Sequence, residues 1–227
     1  MSEEIVRYEL RGDVALISFD DGKANVISPT SLAALNGALD RAEKEARVVV
    51  LSGRPGRFSA GFDLSVMRAG DAGAIRDMVR GGAELSLRLY GFPLPIIAAV
   101  TGHALAMGSM ILMSVDERIG AAGDFKIGMN ETAIGMALPG FAVALARARL
   151  APTHLQRASV NAELYDPEEA VHAGFLDRVV PADQLADAAF ARATELLAVH
   201  SGSHAAVKQA IRAPALAELR ESLAEFG

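Results

Sequence analysis

Two apolar runs, each giving way abruptly to a turn of small residues, constrain this chain more than any other feature. Val48-Val49-Val50-Leu51 reads as a buried strand and is followed by Gly56-Arg57-Phe58-Ser59-Ala60-Gly61-Phe62-Asp63-Leu64. The second run, Leu94-Pro95-Ile96-Ile97-Ala98-Ala99-Val100, leads into Thr101-Gly102-His103-Ala104-Leu105-Ala106-Met107-Gly108. Glycine and alanine let a ligand approach the main chain, and the first N–H groups of a helix have no partner within it. Two strand-to-turn-to-helix passages can therefore aim main-chain donors at one point. That arrangement suits an oxygen that becomes negative during reaction.

With 227 residues, 51% of them hydrophobic and 22% charged, the chain has room for one sizeable core, or one core plus a small helical appendage. It has no cysteine, which excludes disulfides, thiolate metal sites and a cysteine nucleophile. A formal charge of −6 argues against a nucleic-acid partner, although a local basic cluster could still hold an anionic ligand. Met1 to Arg7 lacks the basic start and apolar stretch of a secretory signal, and no apolar run reaches the ~18 residues that span a bilayer. The expectation is a cytoplasmic protein with no membrane insertion.

Apolar clusters flanking Arg11-Gly12-Asp13 predict a hairpin over 4–19. Ser28 can cap, and Pro29 can open, a helix of about 17 residues with Leu32, Leu35 and Leu39 inward. Strands are predicted over 47–52, 96–100 and near 117–120 and 125–127. Helices are predicted over 74–90 and near 107–115, with a mobile polar segment at 69–73. Beyond residue 139 the pattern is helical, at 140–150, 153–161, 167–173, 182–199, 203–211 and 215–226, interrupted by an extended piece from Gly174 to Val180. Strands alternating with helices, then helices alone, predict an α/β core with helices outside.

The two turn segments resemble the crotonase (enoyl-CoA hydratase/isomerase) superfamily, in which the first reads roughly F-x-A-G-x-D-[LI] and the second G-x-[AC]-x-G-G-G. The resemblance covers roughly residues 4–212. It implies a crotonase-like spiral of stacked ββα units over 1–185, followed by a helical region over 186–227 of the lid or trimerisation type, here shortened. It also implies an acyl-CoA thioester as substrate, with no separate cofactor and no metal, and a homotrimer or hexamer. By position in the motif, the N–H groups of Phe62 and Met107 are the two donors to the thioester oxygen. Ala60, Gly61, Phe62, Asp63 and Leu64 line the CoA end, with the Asp63 side chain organising the turn, and Gly108 permits close packing at the helix start. Lys23, Ala24 and Val26 match the positions that meet the CoA phosphates and adenine, with Asn25 shaping their loop. Arg57, Arg68 and Lys208 are weaker candidates for the same anionic end.

Two departures bear on the reaction. Ala106-Met107-Gly108 replaces the usual glycine run, so the donor survives in a bulkier setting. Met110 stands where hydratases carry one of two catalytic glutamates, and a methionine can act neither as acid nor as base. Ile127-Gly128-Met129-Asn130-Glu131-Thr132-Ala133-Ile134-Gly135 is similar to the I-G-L-N-E-T-x-L-G segment of Δ3,Δ2-enoyl-CoA isomerases, whose single glutamate carries a proton between C2 and C4. Glu131 is thus the candidate acid–base group, its pKa raised by apolar Met129, Ala133, Ile134 and Met136, and Asn130 is a candidate substrate contact. Read from the residues alone, Asn130 could instead cap a helix with Glu131 in its first turn. The resemblance implies an isomerase that moves a β,γ double bond into conjugation. The alternatives are a weak hydratase or another enolate-forming acyl-CoA enzyme, and a non-catalytic acyl-CoA binder. His200 and His204 are separated by Ser201-Gly202-Ser203, which argues against a helix-borne metal pair, and His103 reads as packed. The methionines at 107, 110, 113, 129 and 136 read as a flexible acyl lining or as core.

Overall fold

The structure, a computed structural model, describes residues 4–226. The expected hairpin is β1 (Val6–Arg11) with β2 (Val14–Phe19), Val6 facing Phe19. After β3 (Val26–Ile27), the 17-residue α1 (Pro29–Glu45) starts as its sequence requires. Ser28 Oγ accepts from the Ser31 N–H, Ser31 Oγ accepts from the Ser28 N–H, and Pro29 occupies the first turn. There follow β4 (Val48–Ser52), β5 (Gly56–Ser59), β6 (Gly61–Phe62), α2 (Leu64–Ala69) and α3 (Ala72–Tyr90). The polar stretch at 69–73 is a tight join between these helices. Gly70 closes α2 in the left-handed region, and Asp71 caps α3 by accepting from the N–H groups of Gly73 and Ala74.

Next come β7 (Ile96–Val100), β8 (Gly102–Leu105), α4 (Met107–Ser114), β9 (Glu117–Ala121) and β10 (Ile127–Gly128), then a single 3-10 turn at Thr132–Ile134. The remainder is α5 (Gly140–Arg149), α6 (Pro152–Ser159), α7 (Pro167–Ala173), β11 (Arg178–Val180), α8 (Leu185–Leu196) and α9 (Ser201–Ser222). The helices read at 203–211 and 215–226 are largely one, α9, which runs through Pro214. Proline lacks a donor and ordinarily ends a helix. Here Lys208 and Arg212 before it and Leu216 and Leu219 after it are buried, so packing on both sides holds the helix together.

The strands form a six-stranded sheet in the order β1-β2-β4-β7-β9-β11, parallel except for the β1–β2 pair, and a three-stranded parallel sheet in the order β10-β8-β5. Three successive strand pairs each give their first member to the large sheet and their second to the small one: β4 and β5, β7 and β8, β9 and β10. A helix follows each time, which is the repeating ββα plan. β3 and β6 make a separate two-stranded ladder. The main core lies on one face of the large sheet, against α1, α3, α4, α5 and α9. A second cluster on the other face packs Val14, Val48, Val50, Ile97 and Ala99 against Leu185, Ala189 and Ala193 of α8.

Candidate active site

Because the small sheet is parallel, the chain leaves all of its strands at the same end. β5 runs into Ala60-Gly61-Phe62, β8 into Ala106-Met107-Gly108, and β10 into Met129-Asn130-Glu131. Carboxyl ends of parallel strands are where open α/β sheets place ligand sites. The central strand ties the others in: Ala104 pairs with Ile127 and with Ser59, and the Ala106 N–H donates to the Gly128 carbonyl at 3.0 Å.

The first turn is fixed from the loop before α1. The Ala60 N–H donates to the Ala24 carbonyl at 3.0 Å, Val26 pairs with Gly61, and Ser59 Oγ donates to the Asn25 carbonyl at 2.7 Å. Asn25, fully buried with φ of 54°, donates from Nδ2 to the carbonyls of Phe19, Arg57 and Phe58, so it shapes the loop as its residue type suggests. Asp63 caps α2 by accepting from the Ser65 N–H and hydroxyl. The Asp63 N–H donates to the Ile27 carbonyl. Successive N–H groups of a strand point to opposite sides, so the Phe62 N–H faces away from β3.

The second turn begins at Ala106, a non-glycine residue at φ 50° and ψ −123° that receives no side-chain cap. Conformations of this kind cost of order 1–3 kcal/mol and persist only where the surroundings impose them. The Met107 N–H, first in α4, makes no hydrogen bond among the described residues. The two turns touch. A β-carbon on Gly61, which sits at φ 94°, would lie 2.8 Å from Ala106 Cβ and 3.3 Å from the Met107 nitrogen; one on Gly108 would lie 2.5 Å from the Ser59 carbonyl oxygen. The turns that carry Phe62 and Met107 are thereby in contact at the mouth of the small sheet.

Glu131 is buried, at 6% exposure, and its Oε2 has no hydrogen-bond partner. Burial raises its pKa above the ordinary carboxylic range, and the nearby main-chain N–H groups of Glu131 and Asn130 pull the other way. The source of that burial differs from the expectation. Met129 is fully buried, but Thr132 to Ala137 are exposed, Ile134 and Met136 included, so the apolar residues that follow Glu131 do not enclose it. The capping reading also fails: Glu131 itself precedes the 3-10 turn without capping it, and Asn130 Oδ1 is buried without a partner. Met107, Met110, Met113 and Met129 are core residues, Met110 at 1% exposure.

Other candidates separate. Lys23 and Leu64 are exposed at the rim of the first turn, as are Arg57 and Arg68. Lys208 is not free for an anionic ligand: its Nζ is buried and donates to the carbonyls of Phe92 and Leu94 and to Asp116 Oδ2. Sequence reading underestimated its neighbourhood because a lysine late in a helix gives no sign of being an anchor. His103 is packed against Phe125 and accepts from the Lys126 N–H. His200 caps α9 through Nδ1, and Ser201-Gly202-Ser203 begin the helix instead of breaking it. Among the described residues no cluster of three or more His, Asp or Glu side chains could hold a metal ion. A cleft of about 450 Å³ between α8 and the outer face of the large sheet contains none of the predicted site residues.

Two contacting turns at the ends of parallel strands, with a buried carboxyl lacking a partner after a third strand of the same sheet, define a class by fold: an α/β protein of the ββα-spiral type. The enoyl-CoA hydratase/isomerase family model matches residues 9–225, and the chain belongs to that family of enzymes. A crystal structure of a family member from Pseudomonas syringae superimposes with a TM-score of 0.96 at 41% identity, covering 99% of this chain and 97% of its own. The mitochondrial enoyl-CoA delta isomerase 1 of Homo sapiens is 28% identical over 212 residues, 92% of this chain and 70% of that protein. A probable enoyl-CoA hydratase of Rhodobacter capsulatus is 31% identical over 225 residues, 94% of this chain and 83% of that one.

Proposed function

We propose that the protein is an enoyl-CoA isomerase that moves a β,γ double bond of an acyl-CoA into conjugation with the thioester. The observation that carries this reading is the solitary buried Glu131, with Oε2 unpartnered and pKa raised, on a strand end adjoining the two donor turns. The Phe62 and Met107 N–H groups hold the thioester oxygen. Glu131, as carboxylate, takes a proton from C2, leaving a dienolate whose oxygen charge the donors hold; the double bond moves from C3–C4 to C2–C3, and the thioester carbonyl reforms, as C4 is protonated. The same carboxyl returns the proton to C4. No water enters the balance. One donor of this type contributes roughly 3–4 kcal/mol to lowering a barrier.

Hydration calls for a second carboxyl to pair with Glu131, and the family's position for it is Met110, buried in α4. This supports isomerase over hydratase. Lys23, with Ala24 and Val26, and the turn from Ala60 to Leu64 form one edge of the site, linked by the Ala60–Ala24 bond, and are assigned to the CoA portion. Asn130, whose Oδ1 is an unused acceptor, is assigned to the substrate beside Glu131. The test is Glu131→Gln assayed with a 3-enoyl-CoA by the ultraviolet absorbance of the conjugated product. Turnover should fall by at least ~10²-fold, in the range of a lost general acid–base group, while acyl-CoA affinity stays within a few-fold. Undiminished turnover would remove Glu131 as the base. Wild-type water addition to a 2-enoyl-CoA, without isomerisation, would overturn the isomerase reading.

A further inference from the structure

Gly81 and Gly82 lie side by side within the long helix α3. A glycine inside a helix costs about 1 kcal/mol relative to alanine, and neither residue has a positive φ that would require it. What both permit is close approach. A β-carbon on Gly81 would lie 2.8 Å from Leu32 Cδ1 of α1. A β-carbon on Gly82 would lie 2.6 Å from Phe62 Cζ, 2.8 Å from Phe62 Cε1 and 3.2 Å from Met107 Sδ. The two side chains seated at Gly82 thus belong to the two residues whose main-chain N–H groups serve as the donors.

We propose that Gly82 is a positioning residue of the oxyanion hole: the notch it leaves in α3 seats the Phe62 ring and the Met107 thioether together and so fixes the spacing of their N–H groups. The proposal rests on the assignment of those donors above. Each donor is held by its own turn, but among the described residues no hydrogen bond links one donor residue to the other. Phe62 ends a two-residue strand paired only with β3, and Met107 follows the strained Ala106 at an uncapped helix start. Contact of both side chains with one point on a long helix supplies a constraint common to the two. It also accounts for a methionine and a phenylalanine where small residues would leave the turns free to slide. With a methyl group at 82, the ring would have to retreat by about 1 Å to reach ordinary contact, and a displacement of that size at a reacting centre costs on the order of 10²-fold in rate.

The test is Gly82→Ala, with folding checked by circular dichroism. It combines kinetics on a 3-enoyl-CoA with the infrared carbonyl frequency of bound but-2-enoyl-CoA labelled with ¹³C at the carbonyl. The wild type should lower that frequency relative to water, and Gly82→Ala should lose most of the lowering. The variant should also drop kcat by roughly 10–100-fold with KM within a few-fold. In a Phe62→Leu background, where the ring no longer meets the added methyl, Gly82→Ala should change kcat by less than threefold relative to Phe62→Leu alone. Retention of both the frequency shift and kcat in Gly82→Ala overturns the proposal, as does an equal loss in the Phe62→Leu background or a wild type that leaves the carbonyl unperturbed. If Gly82→Ala fails to fold, the double variant decides: a shift kept at the Phe62→Leu value supports the proposal, and its loss overturns it. A wild type that polarises the carbonyl yet isomerises nothing would reject the proposed reaction while the infrared comparison still judged Gly82.

Discussion

A buried carboxyl without a partner is a cost to the fold, and at Glu131 the sign of that cost can be worked out. Its pKa is raised in the folded chain from the ordinary 4.5. Below that ordinary value the group is neutral in both states and stability is unaffected. As pH rises from there through the folded value, the native state retains a proton that the unfolded state has lost, and stability falls. Glu131→Gln should therefore melt like the wild type below about pH 4 and be more stable at neutral pH by roughly 1 kcal/mol, in the range of other stabilising changes at functional sites; urea titrations at the two pH values check this. Wild-type kcat/KM for the proposed isomerisation should rise with pH through a midpoint above 4.5, since the base must be ionised. A midpoint at or below the ordinary value would contradict the burial. Glu131 was singled out in the sequence through the resemblance of Ile127 to Gly135 to an isomerase segment, since from the residues alone it reads equally as an acid at a helix start. Gly82 was not, because a glycine in a helix has meaning only once the residue across from it is known.

At the scale of elements, what could be read was what local chemistry specifies: the Ser28 and Pro29 start of α1, the hairpin, the apolar strands β4 and β7, and the helices of the second half. The strands β5 and β8 were read as turns. Their residues, Gly56 to Ser59 and Gly102 to Leu105, are mostly small or polar and become strands by pairing with each other across 46 positions of sequence, Gly56 opposite Gly102, which no local pattern reports. Helix α9 was split at Pro214 for the complementary reason, since its continuity depends on distant partners. Lys208 Nζ lies 2.7 Å from Asp116 Oδ2 and Arg212 lies 3.0 Å from Asp116 Oδ1. Arg149 beside them is pushed down to about 10 by burial and by the charges of Arg118 and Arg212. Asp116 is thus the carboxylate that offsets a buried cationic cluster, and its Oδ2 also accepts from the Ile96 N–H at the start of β7. Asp116→Ala should lower unfolding free energy by about 3–5 kcal/mol, the cost of leaving buried charges unpaired, as read from the urea midpoint. A loss under 1 kcal/mol would mean that the main-chain carbonyls around Lys208 and Arg212 suffice.

For the whole molecule, the question is whether the helical region over 186–227 stands apart from the α/β core or is part of it. α8 covers one face of the large sheet, with Ala189 and Ala193 fully buried against Val48, Val50 and Ile97. α9 enters the main core on the other face through Leu216 and Leu219, and Gln209 and Arg212 donate to the carbonyls of Gly91 and Tyr90 at the end of α3. One face of the sheet is therefore covered by α8, and α9 packs on α3 and α5, the helices that cover the other face. Since α3 also carries Gly82, the C-terminal helix braces the element against which the proposed donor residues, Phe62 and Met107, pack. Residues in one cooperative unit exchange their amide hydrogens only through a shared opening. Native-state hydrogen exchange in low urea should place the amides of β4, β7 and the buried stretch of α9 on one isotherm, with opening free energies within about 1 kcal/mol of one another. If α9 exchanged through an opening several kcal/mol easier than the sheet, it would be an independent flap. The geometry of the proposed Phe62 and Met107 donors would then have to be held by the α/β core alone.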